Sequence, residues 1–279
     1  MKSLEKIVQR LIINGTLTDQ PGLFYGKTGI AVFFFHCARQ TGNQLYQDYA
    51  MELIEKIQEQ IADTASVRYD TGLAGIGVGF EYFLQSGFLV ADDNIFDDFD
   101  TKMYNTAMYE QYPNLSLVEG LTGWGRYFIY RLQGNGYEKD KSHKALTHIA
   151  MEIERKMMKN EVSKNEQPDV YRFLYDLTSL PGYAVKYKNT LLLCRKWKCI
   201  SEPNVQKLFP YMNQLQRLYV YMKYFKIELI EEINQEWEKW KANENHFLMD
   251  MGLLKGWTNE GLLYLSYTYQ KEYSWLNLF

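Results

Sequence analysis

This sequence is poor in the residues that staple, break or metallate a fold. Its 279 residues hold only three cysteines, Cys37, Cys194 and Cys199, with no framework spacing. An odd, sparse set of thiols argues against a disulfide-stapled secreted scaffold and makes a reducing cytoplasm the expected compartment. Prolines number six, which leaves long stretches free to be helical. Cations are not concentrated: Lys+Arg total 31 against 34 Asp+Glu, a net charge of -3, and no basic stripe announces nucleic acid. The greasiest run, Gly29 to Phe35, is far too short to cross a bilayer, so no membrane span is expected. Residues Met1 to Val8 carry charges where a signal peptide needs an apolar core.

What the chain does have is repetition. Glycine-rich stretches recur at Gly26-Lys27-Thr28-Gly29-Ile30-Ala31, Gly72-Leu73-Ala74-Gly75-Ile76-Gly77 and Gly120-Leu121-Thr122-Gly123-Trp124-Gly125, each running into an apolar helical pattern. A worn copy is Gly256-Trp257-Thr258-Asn259-Glu260-Gly261, and a fifth, more degraded one is Asp176-Leu177-Thr178-Ser179-Leu180-Pro181-Gly182. The first three copies are 46 and 48 residues apart, a spacing that suits one helical hairpin per repeat. In the first unit Ile30–Ala38 reads as a greasy helix. Tyr46, Ala50, Leu53, Ile57 and Ile61 then form the apolar stripe of a half-exposed one. The pattern repeats with a helix through Leu84 followed by Ile95–Met108. It repeats again with a helix through Leu132 followed by Leu146–Met157, and residues 226–241 read as a further amphipathic helix. Greasy helices belong inside and amphipathic ones cover them, so the chain is expected to be all-α, one domain over 1–279, built as an open solenoid or a closed α/α toroid. Glycines at each inner helix let backbones approach closely, and the helix N-terminal amides are expected to stand bare at one rim, available to polar or anionic groups.

These loops, together with Gly22-Leu23-Phe24-Tyr25-Gly26 and Gly252-Leu253-Leu254-Lys255-Gly256, resemble those of the lanthionine synthetase C-like cyclase family. The resemblance implies a double ring of helical hairpins, an α/α toroid, for which this chain is short enough that the ring is expected cut down or partly open. It also implies a zinc ion that holds a substrate cysteine as thiolate for addition to a dehydroamino acid. Zinc serves there because a free thiol near neutral pH keeps its proton. In the family the metal sits on a cysteine of a Trp-Cys-Tyr-Gly loop and on the cysteine and histidine of a Cys-His-Gly loop. No cysteine lies between Pro210 and Gly252, where these loops are expected. An aspartate four residues before the third glycine loop corresponds to Ser116, and the histidine of an Ala-His-Gly-Ile-Pro-Gly loop is matched, through Pro181-Gly182, to Thr178. Neither a metal ligand set nor a catalytic residue is therefore assigned.

The remaining candidates divide between functional and structural readings. Asp70, Glu81, Glu119, Trp124, Arg126, Tyr127 and Trp257 lie near glycine loops and would line a peptide-binding cleft if the loops share one mouth. The plainer reading pairs Glu81 with Arg126 or makes both helix caps. His36-Cys37 sits in an apolar run and reads as packing; His143, His148 and His246 read as surface residues. Cys194 and Cys199 flank Arg195, Lys196 and Lys198, which would favour a thiolate if the charges stood close. Asp92-Asp93 and Asp97-Asp98-Phe99-Asp100 lack calcium-loop spacing and read as helix-start acids. The leading reading is a zinc-free relative of the cyclases that binds a precursor peptide or a peptide-modifying enzyme. The alternatives are an active enzyme on the same scaffold, either a cyclase with a borrowed metal or a glycoside hydrolase using Asp70, Glu81 or Glu119, and a purely architectural repeat protein.

Overall fold

In a computed structural model the four clear glycine stretches each lead directly into an α-helix, with glycine as the N-cap: Gly26, Gly72, Gly120 and Gly256. The structure describes residues 3–61, 66–90, 96–134, 139–204, 209, 212–242, 250–269 and 273–279. His246, Asp92-Asp93, Ile95 and the expected turn at Asn135-Gly136 lie outside these. Among the described residues the helices are α1 (Leu4–Gly15), α2 (Lys27–Thr41), α3 (Gln44–Ile61), α4 (Leu73–Gln85), α5 (Asp97–Tyr109), α6 (Leu121–Gln133), α7 (Lys139–Met158), α8 (Gln167–Thr178), α9 (Tyr183–Leu193), α10 (Lys198–Ser201), α11 (Gln214–Phe225), α12 (Ile230–Ala242) and α13 (Trp257–Thr268). Short 3-10 turns cover Cys194–Lys196 and Ser274–Leu278, and no described residue is in a strand. No helix among them is long and apolar enough to cross a membrane.

The chain divides into two compact units, Met1–Thr64 with Val205–Phe279, and Ala65–Asn204. Within each unit the greasy helices are buried on all sides and the amphipathic ones on one face. In the first unit α2 buries every residue from Lys27 to Cys37, whereas α3 buries Ala50, Leu53, Ile54 and Ile57. In the second, α4 buries Leu73 to Phe83 and α6 buries Leu121 to Arg131, while α5 and α7 each bury a stripe. The helices α4, α6 and α8 pack side by side in chain order, as α13 and α2 do in the first unit. Asp97, Asp98 and Asp100 occupy the first turn of α5, where the helix dipole favours carboxylates.

The corners share one backbone device. The amide of the first helical residue donates to the carbonyl seven residues earlier: Lys27 to Gln20, Leu73 to Ser66, Leu121 to Asn114 and Trp257 to Asp250, at 2.8–3.0 Å. Threonine at the second helical position repeats the stitch with its hydroxyl, from Thr28 to Pro21, Thr122 to Leu115 and Thr258 to Met251. The incoming chain is thereby folded back over the helix start. A Cβ on the cap glycine would lie within 3.0 Å of the carbonyl six residues before it, and a Cβ on Gly29 or Gly123 would meet the carbonyl of Leu23 or Leu117 in the same way. This close approach, rather than an unusual φ, is what requires glycine at the first and fourth positions. It also corrects the expectation of bare N-terminal amides: the loop's own carbonyls take them.

The third glycine has a different role. A Cβ on Gly77 would strike the Tyr127 ring, one on Gly125 the Phe173 ring and one on Gly261 the Phe33 ring. Each ring stands seven residues after its own helix cap and fills the notch five residues after the neighbour's cap. The substitution Gly123→Ala is expected to destabilise by about 1–3 kcal/mol through overpacking. Gly42→Ala meets nothing within 4 Å and strains only a φ of +67°, at a cost of about 1 kcal/mol. Thermal unfolding followed by circular dichroism should therefore rank Gly123→Ala below Gly42→Ala.

Candidate functional site

The register set by these rings relocates the fourth corner. Phe173 lies seven residues after Glu166, which is the N-cap of α8. The stretch 176–182 is instead the end of α8 and the turn into α9: Asp176, Leu177 and Thr178 are still helical. Thr178 is thus not at a corner, and its match to the family histidine is withdrawn. The fourth helix start has Glu166 as its cap and Pro168 in its first turn. Glycine periodicity hid this corner; Pro168 near the helix start was the signal that could have revealed it.

With no glycine, the fourth corner is held by acids. Glu166 accepts from the Ser163 amide at 2.9 Å and from the Leu115 amide at 2.7 Å, and Asp169 accepts from the Leu117 amide at 2.9 Å. Leu115 and Leu117 belong to the corner before α6, so the first turn of α8 grips its neighbour's loop. Burial pushes the Glu166 carboxyl up, but the hydrogen bonds from Ser163 and Leu115 outweigh it and hold the group below its ordinary value.

The sequence-predicted acids meet arginines. Arg68 binds Asp70 through Nε and Nη2, both at 2.8 Å, and Glu119 through Nη1 at 2.7 Å. Asp70 is 4% exposed, and Arg68 and Glu119 are the solvent-facing members of the trio. Glu81 does not pair with Arg126. It binds Arg131, whose Nη2 also holds Asp100 at 2.7 Å and whose guanidinium lies 4.0 Å from the Phe96 ring centre. Burial raises the Glu81 carboxyl despite the pull of Arg131. Tyr127 donates its hydroxyl to Asp100 at 2.7 Å inside the same cluster. Arg126 faces Asp176 at 3.5 Å, beside a cavity of about 10 Å³ also lined by Asp169 and Arg172, room for about one water.

Exposure separates the candidates further. Tyr127 is fully buried, Trp124 is 3% exposed and Arg126 5%, so these side chains belong to the interior of the second unit. Trp257, in the first unit, is half-buried. Of the carboxylates, Glu81 is sealed in with Arg131, and Asp70 and Glu119 share one guanidinium. Cys37 and Cys194 are buried and Cys199 is half-buried. Burial pushes the Cys37 and Cys194 thiols up to about 12 and raises Cys199, so the basic neighbours of Cys194 and Cys199 produce no thiolate. His36 is 2% exposed in α2, consistent with packing. His143 is exposed and stacks on Tyr183, with 2.9 Å between Nδ1 and the tyrosine oxygen.

The resemblance looks for the zinc loops between Pro210 and Gly252, and if the final glycine of each loop is matched to a helix cap, the residues before α13 are Leu254-Lys255-Gly256. Before α11 they are 210–213, of which Pro210 and Tyr211 lie outside the described residues. Leu254 is 1% exposed and aliphatic, and neither leucine nor lysine belongs to the Cys, His, Asp and Glu set from which proteins hold zinc. Among the described residues no group of three His, Cys, Asp or Glu is placed to hold a metal. The residues present do not fit the ion. Side-chain amides occupy this corner instead: Asn259 Nδ2 donates to the Leu254 carbonyl at 2.7 Å and Gln216 Nε2 to the Leu253 carbonyl at 3.4 Å. Asn259 stands where Gly29 and Gly123 stand in their corners. Asn213 and Gln216 form a reciprocal capping box at the start of α11.

Glu166 provides a pH test. Its native value is lowered, so the stability it contributes is fully present above the unfolded value of about 4.3 and is lost as pH falls through the native value. Chemical denaturation should show Glu166→Gln less stable than the parent near neutral pH, with the gap narrowing below about pH 4. A gap independent of pH would contradict the assignment.

A family model described as lanthionine synthetase C-like protein matches residues 18–176, more than half of the chain. No curated protein matches it. Among solved structures, nisin cyclase superposes with a TM-score of 0.56 at 16% identity, covering 99% of this chain and 96% of that one. At that identity the likeness shows a shared fold, and the all-α, α/α-toroid class expected from the repeats stands. This chain belongs to the lanthionine synthetase C-like family.

Proposed function

We propose that this chain is a zinc-independent accessory of lanthipeptide-type maturation in the cytoplasm, which binds a precursor peptide without closing its thioether rings. The observation that carries the reading is the corner before α13. The backbone device of this chain's other corners is kept, with Trp257 donating to Asp250, while a match of the family's final loop glycine to Gly256 would put Leu254 and Lys255 at the cysteine and histidine positions. Asn259 then ties down the Leu254 carbonyl. A thioether-forming addition needs a thiolate, and nothing among the described residues lowers the proton affinity of a substrate thiol there.

Peptide contact is assigned to side chains near the corners that reach solvent: Arg68 and Glu119, backed by Asp70, in the second unit, and half-buried Trp257, beside exposed Tyr25 and Lys255, in the first. Arg68 and Glu119 present opposite charges next to each other, which suits a polar peptide backbone or a zwitterionic stretch rather than a strongly charged one. A peptide-modifying enzyme is the other partner this surface would serve.

The test combines metal and product. Metal-stripped protein titrated with zinc should take up no tight stoichiometric ion. Incubated with a dehydrated, cysteine-containing precursor peptide, it should bind the peptide and leave its thiols free by thiol titration. Arg68→Ala should weaken that binding several-fold. One-to-one zinc uptake, or loss of peptide thiols at constant mass, would overturn the proposal.

A further inference from the structure

We propose that the exposed face of α9 and the segment after it seat the protein on an anionic lipid surface. The small net charge conceals a local asymmetry. Residues 177–201 contain Lys186, Lys188, Arg195, Lys196 and Lys198 and no Asp or Glu. All five cations are exposed. Lys198 has a neighbour in Glu202 at 3.6 Å, but both side chains are largely in water, where such a pair contributes little.

The apolar residues of the same segment face outward with them. Val185 is 91% exposed, Leu192 41% and Leu193 42%. Tyr183, Tyr187 and Thr190 anchor the opposite side of α9, and Cys194 anchors the turn that follows. Helical geometry then orders the outer face. Val185, Asn189 and Leu192 follow at i, i+4 and i+7 along its centre, with Leu193 beside them. Lys188 falls on one flank and Lys186 on the other. The segment continues into Arg195, Lys196, half-buried Trp197 and Lys198.

Exposed aliphatics at Val185, Leu192 and Leu193, bordered by lysines and followed by a tryptophan, suit contact with a membrane interface. The aliphatics would enter the acyl boundary while the flanking cations reach lipid phosphates. An acidic peptide would be recognised by charge without a need for Val185 and Leu192 to stand exposed. Duplex nucleic acid likewise gives those aliphatics nothing to bury against.

Vesicle flotation with the full chain tests this, comparing phosphatidylcholine vesicles with and without phosphatidylserine. The protein should float only with the anionic vesicles, and raised salt should release it. Lys186→Gln with Lys188→Gln should weaken partitioning on the order of tenfold or more, and Val185→Ser with Leu192→Ser should weaken it comparably. Both variants should melt with the parent because the altered side chains are exposed. Equal flotation with neutral vesicles, no flotation with either, or variants that float like the parent would overturn the proposal. Retention of the protein on polyglutamate or duplex DNA without vesicle binding would also overturn it.

Discussion

The structure depends on how the chain enters each inner helix. A helix start leaves amides without intrahelical partners, and a buried corner cannot leave them unsatisfied. Here the preceding loop folds back so that a carbonyl seven residues upstream takes the first amide, as Gln20 does for Lys27 and Asn114 for Leu121. That path brings another carbonyl against the cap and a further one against the fourth position, so neither position has room for a side chain in the corners of Gly26 with Gly29 and Gly120 with Gly123. Glycine at Gly26 and Gly29, or Gly120 and Gly123, is a consequence of satisfying backbone polarity in a tight space.

The corners then set the lateral packing. Because each inner helix begins at a fixed point, the ring seven residues on meets the gap five residues into its neighbour, as Tyr127 does with Gly77 and Phe173 with Gly125. Beyond this layer the second unit buries Arg131 between Glu81 and Asp100. Such a cluster is costly to break from one side, since it would strand a buried charge. It lies several turns down the helices from their glycine caps, among side chains with almost no exposure. It serves the scaffold of the second unit, in which Arg68 and Glu119 are the members of their trio that reach solvent.

Much of this was legible in the sequence. The alternation of greasy and amphipathic segments identified α2 to α7, and the glycine spacing identified three corners and the worn fourth at Gly256. The corner before α8 was not legible, because it has no glycine and is held by Glu166 and Asp169, whose carboxylates accept amides from their own loop and from the corner before α6. The partner of Glu81 was misread as Arg126. Both arginines are on α6, and sequence proximity does not say which helical turn faces α4; Arg131 does. Trp124 and Tyr127 looked like cleft residues because they adjoin Gly123 and Gly125, yet those glycines mark close packing, which draws aromatics inward. The bare amides were misjudged for the same reason: a glycine corner can be open to a ligand or closed by its own carbonyls, and composition does not distinguish them. In the first turn of α13 Asn259 takes the fourth position, and its side-chain amide adds a further closure by donating to the Leu254 carbonyl.

Hydrogen exchange at single-amide resolution tests the central claim most directly. First-turn helix amides ordinarily exchange fast because they lack intrahelical acceptors. Closed corners predict strong protection at Lys27, Leu73, Leu121 and Trp257, matching that of amides in the middle of α2, α4, α6 and α13. Exchange of these four at near-unprotected rates would contradict the account, since it would mean that the corners stand open.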